Sequence, residues 1–239
     1  MRMIISEGML GEPMPYLLRS DWMMTCIMFL CMLLVSYSLS NGRKFLQQQM
    51  SSFFSNRERS SLFDEVTSSD MKYSVLLIFH TCIVLAFCAY YYFVNASPML
   101  FEKVSHVLFL GGLVLCMVLY LMLKWGAYNI VNWVFFQKVR NILWIKSYFY
   151  LLVWLGLLLL PVVLLFVYFD LSSQTAFYLV ASIIIFAKIA LFWKCFSNFF
   201  GKIYGLFHLI LYFCALEILP DLVLWKGIEL VNNNLILNL

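Results

Sequence analysis

The stretch KSYFYLLVWLGLLLLPVVLLFVYFD, residues 146–170, decides the fold class. Between Lys146 and Asp170 lie 23 residues without a charged side chain. A helix needs about 20 mainly apolar residues to cross a bilayer core of roughly 30 Å, so this run predicts a transmembrane helix over 147–169, interrupted by Pro161.

Five more stretches meet the same length requirement: 21–39, 73–94, 104–123, 175–193 and 203–225. Ser20 and Asp21 form a helix cap before the first. Pro220 interrupts the last. Composition agrees with this count. The 239 residues are 64% hydrophobic and 12% charged, against about 25% charged in an ordinary soluble domain. Mean hydropathy is +0.91. A soluble surface is mostly polar, and this chain has too little polar material to build one. The sequence therefore predicts an all-α, polytopic membrane helix bundle with about six transmembrane helices and an interfacial or re-entrant helix.

That extra helix is expected over 124–146, KWGAYNIVNWVFFQKVRNILWIK. Its charges stand too close together for a clean span. Trp125 beside Gly126, Trp133, Lys138, Arg140, Trp144 and Lys146 suit anchoring at the membrane interface. A re-entrant segment or a seventh crossing are the alternatives. The organisation expected is an outer-side segment 1–20, a first helix 21–39, a cytoplasmic polar connector 40–72, a five-helix membrane domain 73–226 and an outer-side tail 227–239. Glu7, Glu12, Pro13 and Pro15 break any signal-peptide core, and the run from Trp22 reads as a retained span.

Net charge is +4, but the lysines and arginines lie between apolar runs and form no nucleic-acid patch. They set orientation instead. The connector and the loops between spans three and four and spans five and six, with Lys188, carry twelve of the sixteen Lys and Arg. The positive-inside rule then places both termini on the periplasmic side of a bacterial inner membrane. The seven cysteines include no CxxC pair and read as small apolar filler.

Glu217, in LYFCALEILPDLVLWKG, is the sharpest candidate. A carboxylate deep in a span must be protonated, paired or facing a wet cavity. Pro220 cannot donate to the carbonyl of Leu216, which frees a polar acceptor beside it. Lys188 is the second costly residue and is expected to snorkel toward the inner face. Its depth and that of Glu217 differ by about 10 Å on the helix rise, so no direct ion pair is expected. His80 and His208 are further buried polar candidates without metal spacing, and no catalytic motif, metal site or cofactor motif is visible. Gly201 and Gly205 have small-xxx-small spacing for close helix packing, with Gly111 and Gly112 available for the same use and Pro161 shaping span four.

Residues 155–169 and 209–227 resemble an uncharacterised Bacteroidota inner-membrane family, a domain of unknown function (DUF4271-like), with an LYxCxLEIxP motif at Leu211, Tyr212, Cys214, Leu216, Glu217, Ile218 and Pro220. The resemblance extends over roughly 70–230. It implies membrane location and supplies no reaction. The sequence favours a non-enzymatic subunit of a larger membrane assembly, whose partners are the bilayer and other membrane subunits. A small proton- or ion-coupled transporter using Glu217 beside the Pro220 break is the alternative. A lipid-acting enzyme ranks last.

Overall fold

The computed structural model describes residues 18–54, 68–96, 105–136, 138–169, 171–199 and 206–237. After a short 3-10 turn (Leu18–Ser20) come five long helices: α1 (Trp22–Phe54), α2 (Ser68–Ala96), α3 (His106–Phe135), α4 (Lys138–Tyr168) and α5 (Ser173–Phe199). A sixth helical rod follows. It begins as α6 (Leu206–Phe213), passes through a π-helical turn (Cys214–Ile218) and continues as α7 (Leu219–Leu237). Residues flanking the π turn keep right-handed helical backbone, so the rod is unbroken. Among the described residues there is no strand. Among the described residues six helices are long and apolar enough to cross a membrane, and the protein is a multi-pass membrane protein.

Successive helices run in opposite directions, and side chains pin their ends together. At one end Asn198 on α5 donates to the carbonyl of Arg140 on α4, and Tyr37 on α1 packs edge-on against Tyr73 on α2. At the other end Ser173 donates to Asn95, and Tyr91 donates to the carbonyl of Leu171. The end where α1 leads toward α2 is called the connector end below.

Helices α2 and α4 form the centre. Gly156 on α4 lies against Thr81 on α2 so closely that a Cβ at 156 would stand 2.8 Å from the Thr81 Cβ and 3.0 Å from its Cα. The Thr81 hydroxyl, 2.9 Å from the carbonyl of Leu77 and 3.3 Å from that of Leu152, satisfies itself across this contact. Around it lies an apolar core that includes Met28, Phe87, Tyr90, Leu159, Val163 and Phe166. A second, aromatic-rich core sits toward the connector end, with Tyr128, Trp144, Tyr148, Leu209 and Phe213. Outward-facing leucines and aromatics such as Leu108, Leu123 and Phe207 are exposed, as lipid-facing residues are.

The structure corrects several boundaries. The stretch 124–146 is no separate interfacial helix. Residues 124–135 complete α3 and residues 138–146 begin α4, joined through Phe136 and residue 137. Enough apolar residues flank the scattered charges to keep both helices running. The expected connector 40–72 is partly helix, because α1 runs to Phe54 and α2 starts at Ser68. The tail is helical to Leu237. Gly111 and Gly112 pack against nothing among the described residues, since a Cβ at either meets none of their atoms within 4 Å. The close approach is at Gly156 instead. Gly201 and Gly205 lie outside the described residues. Pro161 interrupts nothing: α4 continues through it with the ring on an exposed face.

Candidate functional site

Along α3, Tyr120, Lys124, Tyr128 and Asn132 recur every four residues. Residues four apart lie on the same side of a helix with a drift of about 40° per step, so they form a polar stripe that winds slowly around α3. Lys124, Tyr128 and Asn132 are buried. This stripe meets Glu217 in the π turn and Asp221 one turn further on.

Glu217 is fully buried and takes three donors. Lys124 Nζ stands 2.6 Å from its Oε2. Lys188, from α5, donates to the same oxygen, and the Tyr128 hydroxyl donates to Oε1. Asp221 repeats the pattern at the rim. It pairs with Lys188 at 2.6 Å and Lys124 at 3.2 Å and accepts from the Tyr120 hydroxyl. Two ammonium groups thus sit between two carboxylates, and the ionised cluster is neutral. Lys124 also lies over the rings of Tyr120 and Tyr148, 5.5 and 5.8 Å from their centroids, which favours a cation.

The absence of an ion pair between Lys188 and Glu217 was the expectation, and the structure overturns it. Glu217 is ten residues from Phe207 at the connector end of its span, Lys188 ten from Asn198, and Lys124 eleven from Phe135. At 1.5 Å per residue all three lie ~15–17 Å deep, near the middle of the bilayer core. Sequence reading ended span five near 193 and began span six near 203, which separated two residues that share a level. Asp221, counted as an outer charge, belongs to the same mid-membrane cluster.

The π turn lies just before a proline. A proline at position i clashes with the carbonyl of residue i−4 and cannot bond to it. For Pro220 that carbonyl belongs to Leu216, inside the π turn. There the N–H of Leu219 reaches back five residues to Cys214, and the widened ring makes room. Single π turns occur often at functional sites.

From the cluster the polar residues continue toward the connector end. The Tyr212 hydroxyl on α6 donates to Asn132 Oδ1 at 2.7 Å. Asn132 donates to Asn141 on α4 at 2.8 Å, and Asn141 to Asn129 at 3.3 Å. Toward the opposite end the lining turns apolar, with Leu110, Met117, Leu224 and Ile228 in the main core.

Other sequence candidates lie elsewhere. His80 is fully buried, and neither ring nitrogen has a hydrogen-bond partner among the described residues. His208 is exposed on α6. Trp144 is no interface anchor, for it is fully buried and packs edge-on against Tyr128. Trp125, Trp133, Lys138, Arg140 and Lys146 are exposed. The residues that sequence reasoning missed are Lys124, Tyr120, Tyr128 and Asp221. Their signals were the four-residue spacing on α3 and the Glu217–Asp221 spacing on the last helix. All seven cysteines are free thiols. Among the described residues no three His, Cys, Asp or Glu side chains come together as a metal set.

A family model described as a domain of unknown function, DUF4271, matches residues 24–228. The chain belongs to the DUF4271 family. The match takes in the first span and the polar connector, so it extends further toward the N-terminus than the resemblance over 70–230. No curated protein matches, and no solved structure does.

Proposed function

We propose that this DUF4271 protein is a non-enzymatic subunit of a membrane assembly, and that a second integral membrane chain covers the open side of the charge cluster. One observation carries this reading. Lys188 and Asp221 keep 30% and 38% of their side-chain surface exposed on the outside of the bundle, yet they lie at mid-membrane depth. Charge facing hydrocarbon there is expensive, and such residues face protein or water instead. The cluster is already neutral, so the covering chain needs polar or small side chains rather than a net charge.

The test is site-directed photocrosslinking in native membranes. A photoreactive residue at Leu222 or Ile185, exposed neighbours of the open edge, is expected to give a discrete adduct with one membrane protein. The same residue at Leu108, at the opposite end of α3, serves as the lipid-facing control. Lipid adducts alone from all three positions would refute the reading.

A second reading, a proton- or ion-coupled transporter, is favoured by the polar stripe that joins the cluster to the connector end while the opposite end is apolar. Broken or widened helices with buried acids suit such sites. In reconstituted vesicles Glu217→Gln should then abolish proton-coupled flux; unchanged flux would remove Glu217 from that role.

The same proposal places the connector end in the cytoplasm. Arg43, Lys72, Lys138, Arg140, Lys146 and Lys194 are at that end, and none of its described side chains is acidic. The positive-inside rule reads this bias as cytoplasmic. With Lys124 and Lys188 assigned to mid-membrane, the count of basic residues is still ten against four. The termini then face the periplasm of a bacterial inner membrane.

A further inference from the structure

The α3–α4 junction holds a cavity of about 710 Å³, lined by Asn129, Asn132 and Asn141, by Lys138, and by the rings of Trp133 and Phe136. Its depth follows from its neighbours. Trp133 is 83% exposed and Phe135 73%, three to seven residues before the basic Lys138 and Arg140. Exposed aromatics next to basic residues at a helix end belong at the headgroup level. The cavity is therefore at the connector-end interface, and its Asn132 lies about two turns along α3 from Lys124 of the charge cluster.

Its lining is rich in donors. A side-chain amide has two N–H donors. Asn132 spends one on Asn141, Asn141 one on Asn129, and Asn129 one on the carbonyl of Trp125. These bonds hold three amides in fixed orientations and, among the described residues, leave the half-buried Asn129 and Asn141 each a second N–H. Lys138 adds an ammonium group, and Arg140 follows two residues later on an exposed face. The described side chains of this end include six basic residues and no acid. Amide donors, a cation and flanking aromatic surface match a group with anionic oxygens on one side and a hydrocarbon chain on the other. Basic pockets between transmembrane helices bind anionic phospholipid headgroups on the same grounds.

We propose that the Asn129–Asn132–Asn141–Lys138 cavity binds the phosphate headgroup of an anionic phospholipid, with the acyl chains lying along Ile130, Trp133 and Phe136. The amides and Lys138 supply charge-assisted hydrogen bonds to the phosphate oxygens. The aromatic side discriminates a lipid from free phosphate.

The test uses the purified full chain in detergent, titrated separately with a short-chain phosphatidylglycerol, a short-chain phosphatidylcholine and inorganic phosphate. Binding is read by native mass spectrometry and by the shift in Tm. Phosphatidylglycerol is expected to bind and raise Tm. Lys138→Gln is expected to weaken it by roughly tenfold, the loss of one charge-assisted contact. Lys146→Gln, an exposed lysine that does not line the cavity, is expected to leave binding unchanged. Asn141→Ala is a second probe. Should it destabilise the fold, the exposed Lys138 substitution decides alone. Equal binding of phosphatidylcholine would overturn the proposal, since it would mean acyl-chain binding without headgroup choice. Inorganic phosphate as effective as the lipid would overturn the lipid assignment. Phosphatidylglycerol binding unaffected by Lys138→Gln would remove the cavity from it altogether.

Discussion

Substituting Glu217 by Gln tests whether the charge cluster is an ionic lock between α3, α5 and the last helix. Glu217 is fully buried and Lys124 has only 3% of its side-chain surface exposed. Gln keeps the shape and removes the charge. Lys124 then retains Asp221, at 3.2 Å, as its one carboxylate partner among the described residues, and that carboxylate is already shared with Lys188. Breaking a buried pair by removing one partner leaves an uncompensated charge and costs about 3–5 kcal/mol. For a chain of this size a loss of 1 kcal/mol lowers Tm by roughly 2–4 °C, so Glu217→Gln should lower it by roughly 6–20 °C. The assay is thermal or denaturant unfolding in one fixed detergent or nanodisc, run as a cycle with Lys124→Met and the double variant. Removing both partners of a buried pair is often close to neutral. In the double variant Lys188 and Asp221, 2.6 Å apart, still balance each other, so most of the lost stability should return. A coupling energy below about 0.5 kcal/mol would refute the lock, because residues in one buried network couple by more than that.

Gly156→Ala should cost about 1–3 kcal/mol, the usual range for overpacking, because its Cβ would meet Thr81 at 2.8 Å. Gly111→Ala and Gly112→Ala, with open space around them, should leave the unfolding midpoint unchanged or slightly raised, which the same unfolding curves check. Tyr212→Phe removes the hydrogen bond to Asn132 and should cost about 0.6 kcal/mol, the mean for interhelical bonds in a membrane; a loss above about 2 kcal/mol would mean that Tyr212 does more than make this bond. Lys226→Ala breaks an i, i+3 pair with Glu229 whose side chains are 75% and 42% exposed, and no measurable change in stability is expected.

The number of helices was legible because apolar runs of bilayer length carry a strong, local signal. Their ends were not. Lys124 stands only eight residues before the polar Asn132 and fourteen before Lys138, and a local reading of those charges ended α3 too early. That one boundary removed Lys124, Tyr128 and Asn132 from the membrane and hid half of the site. The other half was lost through depth. A four- or five-residue error at the connector ends of α5 and α6 moves a side chain by about 6–8 Å, enough to place Lys188 and Glu217 on different levels. Glu217 itself was legible from its cost, since a carboxylate amid apolar residues needs a partner wherever the helix ends. The partners were not legible locally, because Lys124 and Lys188 come from helices 93 and 29 residues away in sequence.

Pro220 and the charge cluster have a single geometric explanation. The inward positions of the last rod include Leu209, Phe213, Glu217 and Asp221, then Leu224 and Ile228. The first three steps are of four residues. In an α-helix of 3.6 residues per turn each four-residue step overshoots a full turn by about 40°, so three in succession would carry Asp221 some 120° off the face of Leu209. A turn closed by a five-residue hydrogen bond absorbs part of that excess. It lies between Phe213 and Leu219, where the overshoot accumulates. Pro220 stabilises the wider turn against reverting to α-helix, because it has no N–H with which to close the regular bond to Leu216. The proline thus acts as the register device that lets Leu209 pack in the aromatic core while Glu217 and Asp221 both face Lys124 and Lys188.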